Sequence, residues 1–164
     1  MPMRRGYTLI EVLVVVVVLG IVAAIVVPQM LQAGTLGVQA AARMIIADIL
    51  YAQNDAVAHQ AERRVVFDVE GNRYMVTDAS GETLSTPWRG SGDRFVVDFS
   101  RDKRFAGVRL TEVDFADETT LAFDEMGGEA GDNPSGGHII IEFNEERFRI
   151  EVAPYTARVT ISKL

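Results

Sequence analysis

The 164-residue chain contains no cysteine, which excludes a disulfide framework, a thiolate nucleophile and every cysteine-ligated zinc or iron–sulfur site. It has only two histidines, His59 and His138, far apart in sequence and in no metal-ligand spacing. Each is expected at the surface or at a sheet edge. A Gly-x-Ser-x-Gly elbow, a phosphate-cradling glycine loop and a His-Glu-x-x-His pair are all missing. Positive charge is the minority sign, with 16 Lys+Arg against 23 Asp+Glu and a formal net charge of −7. Nucleic-acid binding normally requires a basic surface, and none is provided. Acids this numerous form close pairs by chance, so paired carboxylates alone do not indicate a hydrolase. The chain reads as a non-enzyme that needs no metal or other cofactor.

What is present is strongly uneven. From Val12 to Val27 every residue is apolar or glycine. That run alone would reach only ~24 Å as a helix, but a start at Tyr7 gives ~31 Å, about the thickness of a hydrocarbon core. Arg4 and Arg5 precede it, whereas the stretch from Pro28 to Ala42 carries no charge. The positive-inside bias then keeps the N-terminus in the cytoplasm and places the remainder outside. A single membrane pass, with the N-terminus inside and the remainder outside, is the expected topology.

A secretory signal peptide, a plain membrane anchor and a specially processed anchor all begin in this way. The apolar run is long for a signal peptide, although Ala24 and Ala33 offer small residues for cleavage. Glu11 near its start fits neither a signal peptide nor a plain anchor, because an ionised carboxylate in a membrane segment costs on the order of 2.5 to 3.5 kcal/mol at the bilayer centre and less near an end. The opening reads Met-Pro-Met-Arg-Arg-Gly-Tyr-Thr-Leu-Ile-Glu. With its short basic leader ending in Gly6, the aromatic Tyr7 and Glu11 four residues later, it resembles a type IV pilin precursor, the family that includes the type II secretion pseudopilins. Tyr7 stands where that family most often has Phe. Gly20 and Pro28 also fall where the family often carries Gly and Pro.

The resemblance implies cleavage by prepilin peptidase between Gly6 and Tyr7, N-methylation of Tyr7, and assembly of a filament in which the new amine of one subunit neutralises Glu11 of another. Gly6 lacks a side chain, so peptidase carboxylates can approach the following bond. Glu11 needs a partner in an apolar setting; snorkelling to the headgroups is the alternative its position permits. Pro28 removes a helical donor and crowds the preceding turn, giving a kink or a melted stretch, or else simply ending the helix.

Beyond Pro28 the segment to Gly37 is uncharged and contains Gly34 and Gly37, each lowering helix propensity by about 1 kcal/mol relative to Ala. Val38, Ala42, Ile45, Ile49, Ala52 and Ala56 then recur at spacings of three and four. This pattern predicts an amphipathic helix packed on the chain's own sheet, with a coiled-coil partner as the alternative. The organisation expected is a leader over 1–6, a transmembrane and assembly helix over 7–28, an amphipathic spine over 29–62 and a β-rich head over 63–164.

After Glu62 the period changes to two. Val65 to Val69 and Tyr74 to Thr77 predict a hairpin turning at Gly71 and Asn72. Further strands are expected at Phe95–Phe99, Val108–Val113, Leu121–Phe123, Ile139–Phe143, Phe148–Val152 and Val159–Ile161. One long helix followed by six to eight antiparallel strands gives an α+β class with sheet wrapped on the spine. Among pilin-like proteins this arrangement resembles the minor, H-type pseudopilin and related minor pilins.

The acidic, glycine-rich loop from Asp124 to Gly137 has oxygen ligands of the kind calcium takes, but its spacing fits no EF-hand, and a mobile connection or docking surface is expected instead. Trp88, in a turn-rich segment, is expected to fold back over the core. Loss of Met1 to Gly6 removes two arginines, leaving 14 − 23 = −9. The chain also has Ala157-Arg158-Val159-Thr160 where the uptake pilins of the resembled family carry Gly-Arg-x-Arg, and both features argue against DNA as a partner. The expected partners are prepilin peptidase, other pilin or pseudopilin subunits and the inner membrane. A minor pseudopilin of type II secretion is the first reading. A minor pilin of a surface pilus serving adhesion, motility or DNA uptake is the alternative, and a membrane-anchored binding domain or enzyme is the remote one.

Overall fold

The computed structural model describes residues 8–86, 94–116, 118–131, 134–144 and 146–164, leaving out the side chains of 27–36. The described chain falls into two compact units that divide between Ala33 and Gly34. The leader residues Arg4, Arg5 and Gly6, the junction residue Tyr7, and Trp88 lie outside the described residues.

The first unit is the opening part of helix α1 (Leu9–His59). Its valine run has poor helix propensity in water. In lipid, however, an unpaired backbone group is costly and a helix satisfies its own. The helical assignment runs through Pro28, so the proline does not end the helix.

In the second unit α1 resumes its role as the sequence pattern predicts. Val38, Ala42, Ile45, Ile49, Ala52 and Ala56 are all fully buried, joined by Ala41. The helix stops at His59. Gln60 adopts φ +47, and the Ala61 amide donates to the Ala56 carbonyl at 3.1 Å while the Gln60 amide donates to Val57 at 3.3 Å. This is the paired-bond, left-handed termination usually given to glycine.

All eight expected strands form. They are β1 (Arg63–Asp68), β2 (Arg73–Asp78), β3 (Val96–Asp98), β4 (Arg109–Asp114), β5 (Thr120–Phe123), β6 (Gly137–Phe143), β7 (Glu146–Val152) and β8 (Val159–Lys163). They make two antiparallel sheets, ordered β3-β2-β1-β5 and β4-β6-β7-β8. Residue Val69, expected at the end of the first strand, belongs to the turn, where the Gly71 amide donates to Asp68 Oδ1 at 2.8 Å. The β6–β7 hairpin turns tightly after Phe143, with Asn144 at φ +54.

Both sheets and the buried stripe of α1 share one hydrophobic core, in which Val65, Tyr74, Phe123, Ile139 and Ile150 are inaccessible. Two polar contacts tie this core together. Tyr74 Oη donates a short hydrogen bond to Oδ2 of Asp48, an acid 1% exposed on the buried side of the helix. Asn72, at φ +51 in the β1–β2 turn, donates from Nδ2 to the Val108 carbonyl at 2.9 Å and accepts the Leu110 amide at Oδ1 at 2.8 Å. One side chain thus stands in for a strand at the start of β4 and links the two sheets.

Candidate functional site

The segment Leu9–Val26 is long and apolar enough to cross a membrane, and none of it is buried. Its fourteen large apolar side chains are each between 45% and 83% exposed. At ~25 cal/mol per Å², keeping that surface in water costs on the order of 10–20 kcal/mol, comparable with the whole stability of a domain, about 5–15 kcal/mol. Such a helix belongs in lipid or against other helices.

Thr8 begins the segment as its N-cap. Its Oγ1 accepts the Glu11 amide at 3.3 Å, and its carbonyl accepts the amides of Glu11 at 3.1 Å and Val12 at 3.2 Å. Glu11 is therefore the third helical residue, in the first turn of α1. Unpaired amides and the helix dipole make this end of a helix favourable for an anion. The carboxylate itself has no hydrogen-bond or ion-pair partner among the described residues. It is thus a charge held at the positive end of an apolar rod, available to a cation from elsewhere. The spacing Thr8-Leu9-Ile10-Glu11 is the Thr-x-x-Glu of a capping box. That spacing alone marks Thr8 in the sequence as the start of the helix.

In the head, acids serve local structure. Asp124 Oδ1 accepts the amides of Met126 at 2.9 Å and Gly128 at 2.8 Å. Glu129 Oε2 accepts the Gly136 amide at 2.9 Å. Gln53 Nε2 donates to the Gly127 carbonyl at 2.6 Å, fastening this loop to the helix. Gly127 has φ +78, and a β-carbon there would strike Val57. So the part of the acidic loop that is described is a folded connection braced on α1. No group of three metal-ligating side chains occurs among the described residues.

At the end of the spine, Asp55 Oδ2 takes Arg63 Nε at 2.6 Å between largely buried side chains, joining α1 to β1. Tyr51 Oη also reaches Asp55, at 3.4 Å. Burial, and then the Asp55 charge, push the Tyr51 phenol above its ordinary range. His59 is exposed beside Asp55. Of the surface or sheet-edge positions expected for it, His138 does not take the edge: it lies on β6, between β4 and β7, with Nε2 2.9 Å from exposed Glu112 Oε1. An open groove beside β5 is lined by Thr120, Ala122, Glu62, Arg64, Glu118, Glu129 and Ser135, and the Ser135 hydroxyl donates to the Gly136 carbonyl.

Residues 1–27 match the prokaryotic N-terminal methylation motif. No characterised protein matches the sequence. The fold is similar to that of the minor pseudopilin EpsH from the type 2 secretion system of Vibrio cholerae, with a TM-score of 0.52 and 13% identity over 76% of this chain and 95% of that one. It is equally similar to the type IV minor pilin FimU of Pseudomonas aeruginosa strain PAO1, with a TM-score of 0.53 and 19% identity over 76% of this chain and 87% of that one. A second crystal form of FimU gives 0.52 and 15% over 76% and 91%. The chain carries the methylation motif at its start and has a pilin-like fold.

Proposed function

We propose that this chain is a minor pseudopilin, a non-enzymatic structural and assembly subunit of a type II secretion pseudopilus. Prepilin peptidase cleaves after Gly6, and Tyr7 becomes the methylated terminus. Arg4 and Arg5 hold the leader on the cytoplasmic side of the inner membrane, and the head lies in the periplasm. Subunit entry moves the apolar helix from lipid into a bundle of like helices, driven by packing and by pairing of Glu11 with the amine of a neighbouring subunit. Pro28 lets the helix bend between membrane and head. The observation that carries this reading is the exposed apolar span with one acid at its capped N-terminal end, following a methylation motif and leading into a pilin-like head.

A second reading, a minor pilin of a surface pilus, is favoured by the likeness to FimU. Culture supernatants of the parent and of a strain lacking the chain, with lysis controlled, separate the two. A defined set of extracellular enzymes retained in the envelope is the expected result. An unchanged supernatant with loss of surface filaments gives the second reading. The mass of the mature chain tests both: loss of Met1 to Gly6 with one added methyl group is expected, and an intact N-terminus refutes either.

A further inference from the structure

Four strands lie at sheet edges: β3 and β5 in one sheet, β4 and β8 in the other. Unpaired amides and carbonyls on an edge strand are a template for another strand, and folded proteins usually cover or break them. Three of the four edges are managed in this way. β3 is only three residues long. β5 is bridged on its outer side, where the Ala130 amide donates to Ala122 and the Asp124 amide to Gly128. β4 has a register break between Leu110 and Glu112, and its Leu110 amide is taken by Asn72.

β8 is different. It pairs with β7 over five consecutive positions without a bulge. Leu164 N donates to Arg147 O and Ala153 N to Arg158 O, which fixes the phase of the antiparallel ladder. Residues 158, 160, 162 and 164 therefore bond inward to β7, and the amides and carbonyls of Val159, Ile161 and Lys163 point outward. No proline interrupts the strand, and its one guarding lysine, Lys163, is tied to Glu146. Ile161 is 44% exposed although it faces the same side as buried Ile150. The stretch from Tyr155 to Leu164 holds Arg158 and Lys163 and no acid, in a chain of net charge −7.

We propose that β8 is an open docking edge that accepts an acidic, extended segment of another protein as a fifth strand of its sheet. Backbone pairing to Val159, Ile161 and Lys163 provides the register, apolar residues on one face of the incoming strand cover Ile161, and acids on its other face meet Arg158, whose charge selects the partner. A second copy of β8 would instead bring two such basic strands together. This surface is independent of leader processing and of filament entry, so it stands or falls separately from the proposed function.

The test titrates the isotopically labelled full chain in detergent micelles with a short peptide alternating Glu and Val, and with its Lys–Val counterpart. Amide hydrogen exchange is followed residue by residue. The acidic peptide is expected to slow exchange at Val159, Ile161 and Lys163 about ten-fold or more, and the lysine peptide is not. Ile161→Pro removes an outward donor without touching an inward bond and abolishes the protection. Arg158→Glu leaves the backbone intact and reverses the peptide preference, so the test survives if the proline variant does not fold. Absence of protection at these three amides, equal protection by both peptides, or protection that rises with chain concentration alone each overturns the proposal.

Discussion

Between Leu9 and Val26 the large apolar side chains of α1 are all exposed, whereas from Val38 to Ala56 the apolar stripe of the same helix is fully buried. Apolar content is not what separates them; angular distribution is. The first stretch is apolar all round, which no single sheet can cover, while the second concentrates its apolar residues on one face that two sheets can enclose, with Leu50 left outside it. The two stretches also settle their acids differently. Asp48 is buried and receives the Tyr74 hydroxyl from within the chain, whereas Glu11 is exposed at a capped helix start with no such partner among the described residues. One half of the helix is covered within its own chain, and the other leaves its apolar surface and its acid uncovered among the described residues.

The sharpest way to break this contrast is a matched pair of truncations. Ile49→Ala should cost the head about 2–5 kcal/mol in chemical unfolding, through lost burial and a cavity, while Val16→Ala should leave head stability unchanged. Equal losses would show that the two stretches are not independent. Tyr74→Phe removes the hydroxyl from buried Asp48 and is expected to cost about 1–3 kcal/mol in the same assay; no loss would mean that Asp48 does not depend on it. Glu11→Val should leave insertion and processing intact but lower recovery in sheared filaments about ten-fold, equivalent to ~1.4 kcal/mol of assembly energy. Recovery equal to the parent would remove charge pairing from the account.

The smallest effect concerns acid. Backbone and Arg73 hydrogen bonds hold the Asp68 carboxyl below the usual range, Ser80 does the same for Asp78, and Arg104 for Asp102. A carboxyl with a lowered folded pKa contributes stability above its unfolded pKa of about 3.9 and loses it as pH falls through the folded value. Carboxyl NMR titrations should therefore show these three still ionised when unperturbed aspartates are half protonated. The contribution of these three to head stability should be constant well above a pH of about 3.9 and be lost as pH falls below it.

The helix, its buried stripe and all eight strands were legible because periods of 3.6 and 2 record which face is buried. Strand partnership was not, since alternation in β5 looks the same whether it pairs with β4 or, as it does, with β1. Chain reversals at Ala116, Tyr155 and Ala157 have positive φ without a glycine to announce them. Asp48 was invisible because a buried acid on an apolar stripe reads as an interruption until Tyr74 is seen opposite. At the candidate site, Glu11 stands out by its cost, and Thr8 by its spacing of three residues ahead of that acid.

Asn72 has a kinetic consequence. Its amide joins a turn to backbone 36 and 38 residues further along the chain, so the tip of an early-forming hairpin acts as a template on which the start of β4 is laid. Local hairpins form in about 1–10 μs, far ahead of pairings that must close long loops. Asn72→Gly, which keeps the positive-φ turn but deletes both bonds, should therefore slow refolding of the head more than it speeds unfolding. Stopped-flow measurements showing the reverse would place this link after the rate-limiting step.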